Sequence, residues 1–251
     1  MLSLGQKGGC VVQIVVGACE WERFLIGTLI SGFGYAMRGD ALANRLPWSV
    51  SVSVVTYSEE VAPVWRNWLS AEEEACIASF GAEKRRGEFV AGRAAARQLL
   101  ATHLDVAPAQ VPLRRAEDDA VDVEVPDWHV SIAHSGPHAL AACARHHLGA
   151  DLEHIEPRDP AITRFLFAPE DRGLVEALPY DADAALILCW VLKEATLKAR
   201  RSGFRTSPKD LHLTVDPEAE TARVEVAEGG RWTLVYARLD GYWGAVAVPA
   251  D

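Results

Sequence analysis

The chain reads Leu148-Gly149-Ala150-Asp151-Leu152-Glu153 where a predicted strand, 148–155, begins. Asp151 and Glu153 are two residues apart, so both carboxylates leave the same face of the strand and Leu152 points the other way. Two carboxylates on one face repel each other unless a cation lies between them, and a divalent ion bound through oxygen is one solution. A solvated pair of acids is the alternative for so short a motif.

A second segment, Trp190-Val191-Leu192-Lys193-Glu194-Ala195-Thr196-Leu197-Lys198-Ala199, lies within a predicted helix, 181–201. Glu194 and Lys198 are four residues apart and share a face, which an ordinary surface ion pair would explain. The helix is strongly apolar from Ala184 to Trp190, however, so its polar end emerges from a core. Glu194 would then supply a third carboxylate to an oxygen-rich metal site.

The hydrophobic pattern outside these segments repeats one order of elements, in which a strand precedes helices and helices precede strands. Strands are predicted at 49–57, 128–134, 138–144, 148–155, 211–215, 223–226, 232–239 and 242–248, and helices at 60–69, 71–80, 83–104, 161–178 and 181–201. This order predicts an α+β fold of two similar halves, 48–146 and 147–251, joined near residues 145–148. No internal sequence repeat is strong enough to prove a duplication.

Residues 1–47 differ from the rest, because they are rich in glycine and carry two short apolar runs. An export signal is one interpretation, since Lys7 precedes an apolar run that ends at Cys19. We expect instead an N-terminal extension of uncertain order, or a start codon assigned too early, with Met37 as a candidate start.

Composition excludes several classes of protein. The 251 residues include 25 Lys and Arg against 35 Asp and Glu, for a net charge of −10, which argues against nucleic-acid binding. No apolar run approaches the length of about 20 residues that a membrane span needs. Five scattered cysteines without a CxxC pair favour reduced thiols. We therefore expect a cytoplasmic protein, monomeric, with no nucleic-acid or membrane partner.

A basic cluster on the predicted helix 83–104 stands out in this acidic chain. Arg93 and Arg97 each fall within roughly 20° of Arg86 around the helix, and a stripe of guanidinium groups suits phosphates. A solvated basic face is the alternative. His134, at the end of a predicted strand, could donate a hydrogen bond to a phosphate oxygen near neutral pH, although a lone histidine there is more often structural.

Four motifs in this order resemble the 4′-phosphopantetheinyl transferases, and more narrowly the surfactin-synthetase-activating type and its actinobacterial relatives. They are Arg86-x-Glu88-Phe89-x-x-Gly92-Arg93-x-x-x-Arg97, Val130-Ser131-Ile132-x-His134-Ser135, Leu148-Gly149-Ala150-Asp151-Leu152-Glu153 and Trp190-x-x-Lys193-Glu194-Ala195-x-x-Lys198-Ala199. The resemblance covers roughly Trp48 to Pro249 and leaves the N-terminal extension unexplained.

The resemblance implies two pseudo-symmetric α+β halves with coenzyme A bound between them. The implied reaction moves 4′-phosphopantetheine from coenzyme A to a serine of an acyl or peptidyl carrier protein and releases adenosine 3′,5′-bisphosphate. It uses Mg²⁺, or Mn²⁺ in its place. The implied pathways are polyketide, nonribosomal peptide or siderophore biosynthesis.

The resemblance also implies roles for single residues. The implied sets are catalytic Glu194, Lys198 and Asp151; coenzyme A-binding Arg85, Arg93, His134, Lys193 and Lys198; and metal-binding Asp151, Glu153 and Glu194. Glu194 would take the proton of the carrier serine, directly or through a water molecule. Residues 117–126 lack the lysine that many relatives carry there, and Arg114 or Arg115 could supply that cation instead.

The carrier protein is expected to dock on local basic or apolar surface, because carriers and this chain are both acidic. The candidates are Arg200, Arg201, Phe204 and Arg205, which follow the helix 181–201.

Two other functions remain open. One is a coenzyme A-binding module without turnover. The other is a metal-dependent phosphohydrolase with His146, His147 and His154 as further ligands, although His146 and His147 would point to opposite faces of a strand.

Overall fold

A computed structural model of the protein describes residues 11–14, 50–116, 120–159, 161–202 and 205–250. The first part of the chain forms β1 (Val11–Ile14), β2 (Val50–Thr56), α1 (Ala62–Arg66), α2 (Ala71–Ser79), α3 (Glu83–Leu104), β3 (Leu113–Arg115), β4 (Val121–Val123), β5 (His129–Ser135) and β6 (His138–Ala144). The second part forms β7 (Gly149–His154), α4 (Ala161–Leu166), α5 (Leu174–Ala177), α6 (Ala182–Ala199), β8 (Leu211–Asp216), β9 (Thr221–Val226), β10 (Arg231–Leu239) and β11 (Tyr242–Pro249). The two parts repeat one plan, in which a strand and a long helix precede two hairpins.

The first half is a sheet covered by α3. Its strands lie in the order β1-β2-β6-β5, all antiparallel, and the short hairpin β3–β4 forms a separate two-stranded sheet. Alanines line the contact between α3 and the sheet, among them Ala94, Ala95 and Ala141, all fully buried. Such small side chains let the helix lie close to the strands.

The second half packs α6 across a five-stranded antiparallel sheet in the order β7-β11-β10-β9-β8. Asp181 caps the helix, because its side chain accepts a hydrogen bond from the backbone nitrogen of Ala184 at 2.9 Å. The apolar run before Trp190 is buried with strand residues such as Val224 and Leu234. The core of this half therefore fixes the part of α6 that precedes the polar residues.

The two halves meet where the edge strands β5 and β7 run side by side. The Oγ atoms of Ser131 and Ser135 accept hydrogen bonds from the backbone nitrogens of Ala150 and His154, at 2.9 and 3.1 Å. These serines are four residues apart, so they lie on one face of β5. A core cluster that includes residues of β2, β6, β7 and β11 fills the space behind this junction.

The predicted α+β fold is confirmed, with two differences in its elements. The helix expected over 161–178 is divided into α4, a 3₁₀ turn at Pro169–Asp171 and α5, because proline and glycine interrupt it. The segment between α3 and β5, for which no strand was predicted, contributes the hairpin β3–β4.

Most of the N-terminal extension, including Lys7 and Cys19 of the export-signal interpretation, lies outside the described residues; within it, β1 pairs with β2. No helix in the described ranges is long and apolar enough to cross a membrane.

Candidate active site

The junction between the halves brings Asp151 of β7 to Lys198 of α6. The Nζ atom of Lys198 lies 2.7 Å from Oδ1 of Asp151 and 3.4 Å from the carbonyl oxygen of Ile132 in β5. Asp151 is 6% exposed. Glu194 precedes Lys198 by one helical turn, so the two side chains share the face of α6 that turns toward the junction.

The three carboxylates of the site affect one another's protonation. Burial, and then the charge of Asp151, raises the pKa of Glu194 to about 7. Burial and the charge of Asp151 also raise the pKa of Glu153. Burial raises the pKa of Asp151, and the nearby Lys198 ammonium opposes that shift. Glu194 is therefore poised to exchange a proton near neutral pH.

Glu153 is held on one oxygen atom by two neighbours. Its Oε2 lies 3.2 Å from Nη2 of Arg158 and accepts a hydrogen bond from Oγ of Ser135 at 3.4 Å. Glu153 and Asp151 therefore each have a cationic side chain at hydrogen-bond distance.

Arg85 and His134 come together at the C-terminal end of β5. Nη1 of Arg85 donates to Nε2 of His134 at 3.0 Å, and Glu88 Oε2 lies 3.6 Å from the other ring nitrogen. Burial lowers the pKa of His134, and the charge of Lys198 contributes to the same shift. An exposed guanidinium and a half-buried imidazole are thus presented together, within electrostatic reach of Lys198.

A cavity of about 510 Å³ opens at the opposite side of Glu194 and Lys198. Its walls include apolar residues of β4, β5 and α6, among them Val130 and Leu197, and Leu148, which precedes β7. Polar residues at its end are His129, His147, Asp122, Arg201 and Arg205. Among these, Asp122 Oδ1 accepts a hydrogen bond from Nη1 of Arg201 at 2.6 Å.

Arg93, to which the resemblance assigns coenzyme A binding, is buried inside the first half, and that role stays a prediction. Arg93 and Arg97 are 5% and 2% exposed, and both pair with Glu73 of α2, at 3.4 and 2.6 Å. Arg86, the third member of the predicted stripe, donates to the carbonyl oxygen of Phe80 at 2.9 Å. Two of the three guanidinium groups therefore neutralise a buried carboxylate inside the first half, and Nη1 of Arg93 is left without a hydrogen-bond partner.

Lys193, which the resemblance assigns to coenzyme A binding, lies in the core of the second half. It is 1% exposed, and its Nζ donates to the carbonyl oxygens of Leu166 and Pro208, each at 2.7 Å. Burial lowers its pKa to about 8. One residue earlier on the helix than Glu194, it points about 100° away, into the core of the second half.

We expect Lys193→Met to lower the free energy of unfolding by about 1–3 kcal/mol, because two buried carbonyl groups lose their donor. The affinity for coenzyme A should change by less than about twofold. Chemical denaturation and calorimetric titration measure the two quantities. Lys198→Met is the matched variant, and we expect it to weaken coenzyme A binding; a weaker affinity in Lys193→Met alone would contradict the placement of Lys193.

The acids fit a divalent cation, although the described residues hold no ready-made metal centre. No group of three or more His, Cys, Asp and Glu side chains in the described ranges is arranged so that it could hold a metal ion. Oδ2 of Asp151, however, is buried without a hydrogen-bond partner. A buried carboxylate oxygen in that state calls for a cation, and carboxylates are the ligands that Mg²⁺ prefers. Lys198 contacts Oδ1 of Asp151 and Arg158 contacts Oε2 of Glu153, so both cations lie beside the carboxylates that would hold the ion.

Other expected residues lie away from this cluster. Arg114 pairs with Asp122 and Glu124, so it is not an open substitute for the missing lysine. Arg200 points to the β9–β10 turn, where it donates to the carbonyl oxygen of Gly229 at 3.2 Å. Phe204 lies outside the described residues.

The three histidines of the phosphohydrolase interpretation do not meet. His146 and His147 precede β7, whereas His154 ends it and its ring nitrogen lies 3.2 Å from Glu156.

The sequence interpretation missed Arg158 and, at the polar end of the cavity, Asp122 and His129, although it had named Arg201 and Arg205 as docking candidates. Arg158 follows Glu153 by five residues, and no periodicity marks it. Asp122 and His129 meet Arg201 only through the folding of β4 and β5 against the end of α6, so local spacing carries no sign of them. The junction itself had one sequence signal: Ser131 and Ser135 are four residues apart and therefore lie on a single face of the predicted strand.

The two α+β halves place acids, cations and a cavity at their junction. Residues 72–144 match a family model described as 4′-phosphopantetheinyl transferase N-terminal domain, and residues 147–247 match one described as 4′-phosphopantetheinyl transferase superfamily. The chain belongs to the 4′-phosphopantetheinyl transferase superfamily, which confirms the resemblance carried by its motifs.

A curated relative is 4′-phosphopantetheinyl transferase psf-1 of Bacillus pumilus, 32% identical over 82 residues. That alignment covers 32% of this chain and 35% of the relative, so it spans about a third of the relative's length.

Proposed function

We propose that this protein transfers 4′-phosphopantetheine from coenzyme A to a serine of an acyl or peptidyl carrier protein, with Mg²⁺, and releases adenosine 3′,5′-bisphosphate. The observation that carries the proposal is the position of Lys198, which lines the cavity together with Glu194 and also lies within electrostatic reach of His134, the partner of Arg85. A substrate with phosphates at one end and a long arm at the other matches that order of groups.

Arg85, His134 and Lys198 are proposed to bind the phosphates of coenzyme A. Arg85 is exposed, and its guanidinium can donate two hydrogen bonds to one phosphate. When Arg85 turns from His134 to the ligand, a ring nitrogen of His134 is free to contact a phosphate as well. Lys198 leaves Asp151 for the pyrophosphate, because an ammonium group there neutralises charge on the departing nucleotide. The cavity, with its apolar walls, is of a size to hold the pantetheine arm.

Glu194 is proposed as the base that takes the proton of the carrier serine, directly or through a water molecule. A carboxylate whose pKa lies near 7 is matched to proton transfer at neutral pH. Asp151, Glu153 and Glu194 would hold the metal ion, which supplies neutralisation of the pyrophosphate charge when it is bound. Transfer at phosphorus asks the protein mainly for such positioning and charge neutralisation.

The carrier is proposed to approach at the polar end of the cavity, beside Arg201 and Arg205. We expect Arg201→Glu and Arg205→Glu each to raise the KM for an acidic carrier about tenfold at low salt, because repulsion replaces attraction at the mouth. The KM for coenzyme A should not change. Steady-state kinetics at two salt concentrations measures both constants.

Arg200→Glu is the matched control, because that side chain points to the β9–β10 turn rather than to the cavity. An unchanged carrier KM in both mouth variants would remove this surface from the proposal.

The test of the function is the amount of adenosine 3′,5′-bisphosphate formed from coenzyme A, measured by liquid chromatography. We expect formation with an apo carrier protein and none with the carrier in which the acceptor serine is alanine. Nucleotide release without the serine would favour a phosphohydrolase. Tight coenzyme A binding without release, on acyl and peptidyl carriers alike, would favour the binding module.

A further inference from the structure

Arg158 contacts two carboxylates beside the candidate metal site. Its Nη2 lies 3.2 Å from Oε2 of Glu153, and its Nη1 lies 3.0 Å from Oε1 of Glu156. The Arg158 side chain is 34% exposed and that of Glu153 is 25% exposed, so the pair is only partly screened by water. The guanidinium therefore bridges an acid of the site and an acid of the surface.

The backbone around Arg158 is fixed on both sides. The nitrogen of Ile155 donates to the carbonyl oxygen of Gly241 at 2.8 Å. Asp159 precedes α4, and its Oδ1 accepts a hydrogen bond from the nitrogen of Ala161 at 2.8 Å. Arg158 lies between these two anchors, so its guanidinium is presented to Glu153 by a constrained turn.

Arg158 stands to Glu153 as Lys198 stands to Asp151. Each carboxylate of β7 has a cation on one oxygen in this metal-free arrangement. A divalent cation that binds Glu153 through Oε2 must displace Arg158, and the energy of the ion pair is then subtracted from the energy of metal binding.

We propose that Arg158 is a positioning residue that competes with the divalent cation for Glu153 and so weakens metal binding while no phosphorylated ligand is present. This inference rests on the proposed function, in which the acids of the junction hold a metal ion. The phosphates of a bound nucleotide offer Arg158 another anionic partner, so the site takes up its metal together with that ligand.

The experiment titrates the full chain with Mn²⁺ in the absence of coenzyme A, and electron paramagnetic resonance measures the concentration of free Mn²⁺ at each step. We expect Arg158→Gln to bind Mn²⁺ about three- to tenfold more tightly than the wild type, which is the range of a partly exposed ion pair. Arg158→Lys should fall between the two. Arg164→Gln removes an exposed arginine of α4 and should match the wild type.

The double variant Glu153→Gln/Arg158→Gln tests whether the effect passes through Glu153. We expect it to bind Mn²⁺ no more tightly than Glu153→Gln alone, because the competing pair no longer exists. Circular dichroism checks that each variant folds. Equal or weaker Mn²⁺ binding in Arg158→Gln, a gain that survives in the Glu153→Gln background, or no Mn²⁺ binding by any variant would each overturn the inference.

This titration involves no carrier and no turnover, so its failure is distinct from failure of the transferase proposal. Tighter Mn²⁺ binding in a protein that never modifies a carrier would support the role of Arg158 and refute the transferase. Transfer activity without the expected coupling would do the reverse.

Discussion

Glu194→Gln is expected to lower the rate of carrier modification by about 10²- to 10⁴-fold, which is the contribution of a positioned general base. The variant keeps the shape of the side chain and removes both its proton-accepting capacity and a candidate metal ligand. Coenzyme A binding without metal should persist, because Arg85, His134 and Lys198 remain. Single-turnover kinetics and calorimetric titration separate the two effects. Glu176→Gln, an exposed acid of α5, is the control and should have wild-type activity.

The same variant should stabilise the metal-free protein at alkaline pH. The pKa of Glu194 is about 7 in the folded protein, against an ordinary value of 4.5. Ionising it therefore costs folding free energy as the pH rises through this window, and the cost is complete above about pH 7. We expect Glu194→Gln to raise the free energy of unfolding near pH 8 by about 1–2 kcal/mol, a value reduced because the carboxyl is partly exposed. The difference from the wild type should vanish below about pH 5. Denaturant unfolding at both pH values measures it. Full activity with no gain in stability would contradict both roles of Glu194.

Gly149→Ala is expected to lower the free energy of unfolding by about 3–5 kcal/mol, above the usual range for an overpacked site because backbone atoms cannot turn aside. A Cβ atom at Gly149 would overlap the carbonyl oxygen of Ala195 and the nitrogen of Ala199, and would lie 2.9 Å from the Cα atom of Ala199. The start of β7 and the last turns of α6 must then separate. That movement should also part Asp151 from Lys198 and reduce activity strongly.

Denaturant unfolding and the activity assay measure these effects side by side. Gly81→Ala is the matched control, since a Cβ atom there meets no atom within 4 Å, and its stability should change by less than about 1 kcal/mol. A stability of Gly149→Ala equal to that of the control would mean that β7 and α6 are not held together as closely as the structure has them.

Local pattern was enough to predict most elements. The helix expected over 181–201 is α6, Ala182–Ala199, and the strand expected over 242–248 is β11, Tyr242–Pro249. Alternation and the 3.6-residue period carry this information because each element buries one face. The sequence also indicates the division of the predicted helix 161–178, since Pro169 lies inside it.

The site was predictable only where two of its members share one element. Asp151 with Glu153, and Glu194 with Lys198, follow from spacing along one strand and one helix. The pairing of Arg93 with Glu73 was not predictable, because Glu73 belongs to another helix and a pattern along α3 cannot show that a buried acid neutralises Arg93. A run of arginines on a helix indicates phosphate binding only when no carboxylate from a neighbouring element reaches it.

The buried position of Lys193 was not predictable for a related reason. The apolar run before Trp190 surrounds much of the helix, so the pattern does not say which side of α6 meets the junction and which side enters the core. Only the packing of α4 and the turn before β8 against α6 supplies the carbonyl oxygens that hold its ammonium group. The motif therefore includes one lysine that stabilises the second half and one that reaches the site.

The most direct test of the central claim is intact-mass spectrometry of an apo carrier protein incubated with this protein, coenzyme A and Mg²⁺. The account predicts that the carrier gains the mass of one phosphopantetheine group, and that the gain is lost with Glu194→Ala and with EDTA. No gain on any of several acyl and peptidyl carriers, while coenzyme A still binds, would contradict it. So would an equal gain with Glu194→Ala, because the transfer would then not depend on the acids at the junction of the two halves.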